Sequence, residues 1–336
     1  MTMTDVAHSA SANSITDGAL GVYPTKILTH GDSGSCVEIA IKGATVLTWK
    51  APFRGELGDF LAGFVSDEDL DGQGGMRNGL LFPFANRLRD NKYSWDGQTY
   101  DVPKQVDADP EVIHGYVRVR DWDIESTELD NADFAAMTFS FKIRATDNAW
   151  YPFSLDVWVR YEVSASGFDV TFGYRNVGDV DAPAGFGWHP YFRVPGHTTF
   201  DDLRLQIPAR SQVVTDEKLV PLAGEAAYNR FDQDVVHEAM AGVDYDTAFA
   251  DLVADEDGII RTSLTEPDTG AGVVVWQDRG TVLIYTGGSF PVPRGSVAIE
   301  PVESTTDAFN RPDREAEVRL APGAVREFKF GAYVVE

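Results

Sequence analysis

Two side chains able to move protons stand in extended stretches, each directly before a proline. They are Glu300 in RGSVAIEPVESTTDAFNRP (Arg294 to Pro312) and His189 in GFGWHPYF (Gly185 to Phe192). From Ser296 to Glu300 the residues alternate as in a strand, so Val297 and Ile299 share one face while Ala298 and Glu300 share the other. Proline keeps the preceding residue extended and donates nothing to a ladder, so Pro301 predicts a strand that ends at Glu300 and opens onto a cleft. In the second stretch Phe186 and Trp188 face one way, and Gly185, Gly187 and His189 the other, which predicts space beside the imidazole. Either residue alone reads as a solvated or structural group. As a pair on faces of small residues they predict a shared site: ionised Glu300 would take a proton, and His189, charged near neutrality, would give one.

Two further stretches supply binding groups. NGLLFPFANRLR (Asn78 to Arg89) ends an apolar run in Asn86 and Arg87, delivering a guanidinium fork at the edge of a buried element, where it could grip vicinal hydroxyls. The plain alternative is a surface arginine beside Arg89. VIHGYVRVR (Val112 to Arg120) sets His114 before Gly115, whose missing side chain allows a close approach to the backbone.

The elements that must position these groups read as strands almost throughout. Ser35 to Trp49 predicts two short strands joined through Lys42 and Gly43. Others are expected at Tyr93 to Trp95 with a turn at Asp96-Gly97, Asp133 to Ile143, Leu155 to Val163, Phe168 to Asn176, Leu203 to Ile207, Gly272 to Trp276, Val282 to Thr286, Ala316 to Leu320 and Arg326 to Val335. Long helical periodicity is absent, turn signals recur about every ten residues, and no linker or fixed repeat interrupts them. The expectation is a flexible tail over residues 1–20 and one all-β domain over 21–336, a large antiparallel β-sandwich.

Composition narrows the function by exclusion. With 28 basic against 53 acidic residues the net charge is −25, which repels nucleic acid and anionic membrane, so neither is an expected partner. Solubility, or a saline interior that screens self-repulsion, accounts for such a surface. Cys36 is the only cysteine and the six histidines are scattered, so no disulfide framework, no metal site and no cofactor is expected. No basic segment precedes an apolar run at the N-terminus and no membrane-length apolar stretch occurs, which makes cytoplasm the expected location.

FPFANR, HG with Trp122 downstream, GWHPYF, IEP followed by DAFN, and LAPG before a final strand occur in that order. From about Gly43 to Val335 the chain thereby resembles the aldose 1-epimerase (galactose mutarotase) family. The resemblance implies a galactose mutarotase-like β-sandwich that binds sugar on a concave sheet face. It implies His189 as general acid and Glu300 as general base, with Arg87, His114 and Asp246 at sugar-contacting positions. Asp246 begins DTAF, and Asp244, two positions upstream, is the alternative contact. Leu283 departs from the family, many members of which carry glutamine there. The implied reaction interconverts the anomers of a free hexose such as glucose or galactose by acid–base ring opening, which needs one acid and one base and no cofactor. Trp188 and Tyr191 would stack on the sugar or, more plainly, pack in the core.

Three other readings compete. A hydrolase would pair Glu300 with Glu303 or Asp246, although Glu303 falls on the opposite strand face. A sugar-binding protein on the same fold would need no proton donor facing an acceptor. A hexose 6-phosphate epimerase would draw an arginine cluster from Arg89, Arg118, Arg120 and Arg193.

Overall fold

The structure, a computed structural model, describes residues 12–107, 109, 111–288 and 292–336. Nearly all regular structure is antiparallel strand, in two large sheets of nine and eight strands and a five-stranded sheet near the N-terminus. Among the described residues no helix is long and apolar enough to cross a membrane.

Apolar alternation explains how the two large sheets pack. In the nine-stranded sheet, Leu155–Ser164 alternates buried and half-buried along its length and pairs with Phe134–Ile143 on one side and Gly167–Asn176 on the other. Its inner face presents Phe168 and Phe172, and the adjoining strand Val325–Val335 adds Phe328 and Phe330. Phe186 and Trp188 reach these rings from the eight-stranded sheet. Phe186 stacks on Phe172 with centroids 3.8 Å apart, and Trp188 lies 5.4 Å from Phe330. Because side chains alternate, burying Phe186 and Trp188 inward turns Gly187 and His189 to the sheet's other face.

That face belongs to strands paired in the order Ser211–Val213, Asp246–Ala250, Thr281–Tyr285, Val297–Val302 and Gly187–Trp188, with Tyr191–Phe192 also on Val297–Val302. Register sets side chains in rows across it. One row runs Ala248, Leu283, Glu300 and the next Asp246, Tyr285, Ala298, Tyr191.

Four local expectations change. Ser14–Leu20 is not part of a tail: it is a strand paired with Tyr23–Thr29, while residues 1–11 of the expected tail lie outside the described residues. Ala316 to Leu320 is not one strand, since Glu315–Val318 is a short helix and only Arg319–Leu320 is extended. The glutamate strand does not end at Glu300 but continues to Val302, with Pro301 opposite Val282. Its proline is tolerated because the neighbouring rungs supply the pairing it lacks. The space beside Gly187 is filled by protein, for a methyl there would stand 2.9 Å from the Ala85 side chain, and one on Gly185 would stand 2.4 Å from Ser304 Oγ. These glycines admit neighbouring protein segments.

The Phe186–Phe172 stack ties the two large sheets, so Phe186→Ala is expected to cost about 3–5 kcal/mol. Urea unfolding checks this, and a midpoint shift near zero would contradict it.

Candidate active site

The register that pairs Gly187 with Val302 and Tyr191 with Ala298 sets His189 directly opposite Glu300. Cross-strand partners in an antiparallel pair point to the same face. His189 Nε2 accordingly lies 3.3 Å from Glu300 Oε1, at 6% and 1% exposure. Pro190 and Pro301 each lack an N–H, so each rung flanking this pair has one donor fewer.

Asn78 holds the histidine segment. Its N–H donates to the His189 carbonyl at 2.8 Å, its Oδ1 accepts the Tyr191 N–H at 3.1 Å, and its carbonyl accepts Trp188 Nε1–H at 3.0 Å. Its own backbone is left-handed, with φ of 56°, a conformation that asparagine tolerates well. The imidazole of His189 stacks on the Tyr191 ring at 5.1 Å.

His114 stands edge-on to His189, with ring centroids 5.3 Å apart. Its Nδ1 accepts the Asn86 N–H at 3.0 Å, which fixes the neutral ring as the Nε2–H tautomer. Gly115 allows this placement, since a methyl there would fall 2.0 Å from the Phe82 carbonyl oxygen. Arg87 is aimed by two acceptors: Nε donates to Glu111 at 2.6 Å and Nη1 to Asn86 Oδ1 at 3.2 Å. The turn of DAFN clamps the same segment, because Asp307 N–H donates to the Arg87 carbonyl and Asp307 Oδ1 accepts the Arg89 N–H.

Glu300, His189, His114, Arg87, Asn86 and Asp246 all line one cavity of about 230 Å³. Of the two aspartates, Asp246 lines the cavity, whereas Asp244 accepts a hydrogen bond from Thr286 Oγ1. Trp188 is core, and Tyr191 is a cavity wall. Sequence reasoning missed Tyr285, Met76 and Gly75, which also line the cavity, and Glu111, which orients Arg87. Tyr285 carries a signal, for it lies two positions beyond Leu283 on the same strand face.

Burial works against the expected charges. It pulls His189 down to about 3, with nearby Arg118 acting in the same direction. Burial raises Glu300 well above the usual carboxylate range, Asp246 adds to the rise, and Arg87 opposes it. His189 Nδ1 is buried without a hydrogen-bond partner. Burial thus favours the uncharged form of each, a protonated Glu300 and a neutral His189. His114 is likewise held neutral by burial, with His189, Arg118 and Arg87 contributing.

A family model described as aldose 1-epimerase matches residues 25–332. An aldose 1-epimerase of Escherichia coli is 24% identical over 238 residues, covering 69% of this chain and 63% of that protein. YihR, an uncharacterized protein of the same organism, is 26% identical over 232 residues, covering 69% and 71%. Among solved structures, a galactose mutarotase-like protein from Clostridium acetobutylicum superposes with a TM-score of 0.78 at 16% identity, covering 97% of this chain and 99% of that one. Galactose 1-epimerase from Lactobacillus acidophilus gives 0.75 at 16%, with the same coverage. These likenesses show a galactose mutarotase-like fold.

Opposite pH dependences follow from the buried pair. Glu300 has its pKa raised, so the stability it allows is present below about 4.5 and falls as pH rises through the folded value. His189 has its pKa lowered, so its share is present above about 6.5 and falls as pH drops toward about 3. Glu300→Gln removes only the first effect. Its stability relative to wild type should increase from pH 4.5 to pH 8, by up to about 1.4 kcal/mol per pH unit below the folded pKa. Denaturant titrations at several pH values test this, and a pH-independent difference would contradict the protonated Glu300.

Proposed function

The chain belongs to the aldose 1-epimerase family, and from that premise we propose that it interconverts the α and β anomers of a free aldohexose, with Glu300 and His189 moving the protons. The observation that carries this reading is the 3.3 Å approach of His189 Nε2 to Glu300 Oε1 in a cavity also lined by Arg87, His114 and Asp246.

The reaction takes a proton from the anomeric hydroxyl and delivers one to the ring oxygen. In the resting site the proton of the pair sits on Glu300. The cycle begins as it passes to His189 Nε2, leaving a carboxylate and an imidazolium. Glu300 then takes the proton of the anomeric hydroxyl while His189 gives its own to the ring oxygen, the C1–O5 bond breaks, and the open aldehyde forms. Both residues are neutral again at that point. Burial disfavours the charged pair, so it favours the ring-opening step that discharges it. Rotation about the C1–C2 bond followed by the reverse transfers closes the ring as the other anomer. The Nε2–H of His114 and the Arg87 guanidinium are donors available to oxygens of the bound sugar, and Asp246 is an acceptor.

Two competing readings fit less well, although Asp246, the second carboxylate named for a hydrolase, does line the cavity with Glu300. Glu303 accepts the Tyr174 hydroxyl at 2.8 Å and Arg279 Nη2 at 2.7 Å, outside the cavity, so it forms no carboxylate pair with Glu300. A phosphate would need the four other arginines, none of which lines the cavity. Arg118 is buried against Asp109 and Gln73, Arg193 binds Asp59, Arg89 binds Asp216, and Arg120 lies over Tyr116. An unphosphorylated sugar is therefore the better match.

Optical rotation or anomeric NMR of fresh α-glucose and α-galactose tests the reading. Wild type should accelerate equilibration over buffer, and Glu300→Gln and His189→Asn should each lower kcat by roughly 10²–10⁴-fold. Undiminished acceleration in both variants would sink the assignment. A second expectation concerns binding: Asp246→Asn should raise KM more than it lowers kcat, because it removes a charged acceptor that touches hydroxyls away from the reacting bond. A fall in kcat with KM unchanged would place Asp246 in the proton transfers instead.

A further inference from the structure

Glu300 lines a second space besides the active-site cavity: a small hollow walled by Thr281, Ser304 and Thr306 together with the short side chains of Ala85 and Ala248. Leu283 and Glu300 border both spaces.

Register explains why hydroxyls gather there. Leu283 is opposite Glu300, and Thr281 is opposite Val302, so Thr281 and Val302 form the next row on the face that carries Glu300. The active-site cavity takes the side of that face bearing Tyr285 and Asp246, and the hollow takes the side bearing Thr281 and Val302. Glu300 stands between them. Beyond Val302 the chain passes through Ser304 and Thr306 to Asp307, whose N–H donates to the Arg87 carbonyl. That clamp fixes the second and third hydroxyls over the same spot.

Thr281, Ser304 and Thr306 are only 8%, 5% and 8% exposed, and among the described residues none of their hydroxyls has a hydrogen-bond partner. Buried hydroxyls without partners are costly, so three of them converging beside a carboxyl group call for a polar occupant. An apolar occupant would leave all three unmet, and an anion would be repelled by an ionised Glu300. Water has two donors and two acceptors and meets both demands. The space open to a water's centre is about 10 Å³, room for one molecule.

We propose that the hollow is a binding site for one ordered water, held by Thr281, Ser304 and Thr306, that donates a hydrogen bond to the Glu300 carboxylate. Its part in the reaction rests on the proposed epimerase reading: the bond strengthens when Glu300 passes its proton to His189, so the water stabilises the charged pair from which the ring opens. The three hydroxyl residues are positioning residues that act through the water.

Two measurements on the intact protein decide the water whatever the activity. A crystal structure should show one water in the hollow within hydrogen-bond distance of Glu300 and at least two of the hydroxyls. The Glu300 titration, followed by carbon-13 NMR of labelled glutamate and assigned with Glu300→Gln, should move upward by about half a pH unit or more in Thr281→Val or Thr306→Val, because an ionised carboxylate loses a donor. His189, Tyr191, Tyr285, Asp246 and Arg87 also face Glu300 and stay unchanged, and Thr306→Ser, which keeps the hydroxyl, should restore the wild-type midpoint. A hollow without water, or midpoints unmoved in both valine variants, overturns the site. In anomer exchange the valine variants should lower kcat roughly fivefold or more with KM within about twofold of wild type. Undiminished kcat in both overturns the water's part in the reaction and leaves the reading of Glu300 and His189 standing. No acceleration by wild type overturns that reading, while the structure and the titration still decide the water.

Discussion

The site depends on one antiparallel register, that between Val297–Val302 and the segment from Gly187 to Phe192. Slipping it by one residue would turn Glu300 or His189 into the sandwich interior and Phe186 or Trp188 out of it. The aromatic packing of Phe186 on Phe172 and Trp188 on Phe330 opposes such a slip. The core therefore does more than stabilise the fold: it fixes which two side chains meet. Asn78 performs the same task from the other side, bonding the backbone on both sides of Pro190 and so replacing pairing that the proline interrupts.

Meeting in a dry place gives the pair its character. In water a glutamate and a histidine at neutral pH would hold the proton on neither or on the imidazole. Inside this cavity the low polarity penalises each charge, which favours the proton on the carboxylate. Leu283 sits opposite Glu300 in the neighbouring strand and presents an apolar side chain where a polar group would help to solvate the carboxylate. Its place in the register makes the departure from the family pattern an electrostatic one as much as a lost contact. Under the proposed mechanism the charged pair is a transient state of high energy, and discharging it coincides with breaking the ring.

Much of the sandwich was legible because strand alternation and turn residues are local properties. Leu155 to Val163 and Phe168 to Asn176 announce themselves through period-two burial. Ser14–Leu20 did not, since SITDGAL lies on an edge with few buried side chains and so lacks an apolar face. The short helix at Glu315–Val318 was hidden because EAEV alternates as well as it helicates. Among site residues, those next to a proline, a glycine or the end of an apolar run could be singled out. What the sequence withheld was register, which is nonlocal, and with it the contact between His189 and Glu300. Glu111 was invisible for the same reason, for nothing near it in the chain marks it as the partner of Arg87. The glycines misled: missing side chains predicted space beside His189, while the Ala85, Leu81 and Val302 side chains occupy the room at Gly187.

The excess of negative charge bears on what the cavity admits. Asp246 lines it, Glu111 stands at Arg87, and the whole chain carries −25. A field of that sign slows the approach of an anion and is indifferent to a neutral sugar. Among the described residues Arg87 is the one arginine in the cavity wall, and its Nε and Nη1 are already engaged by Glu111 and Asn86. Its remaining capacity is that of a fork for hydroxyl oxygens rather than a clamp for phosphate. Charge at long range and hydrogen bonding at short range thus favour the same kind of ligand, an uncharged ring with hydroxyls on its edge.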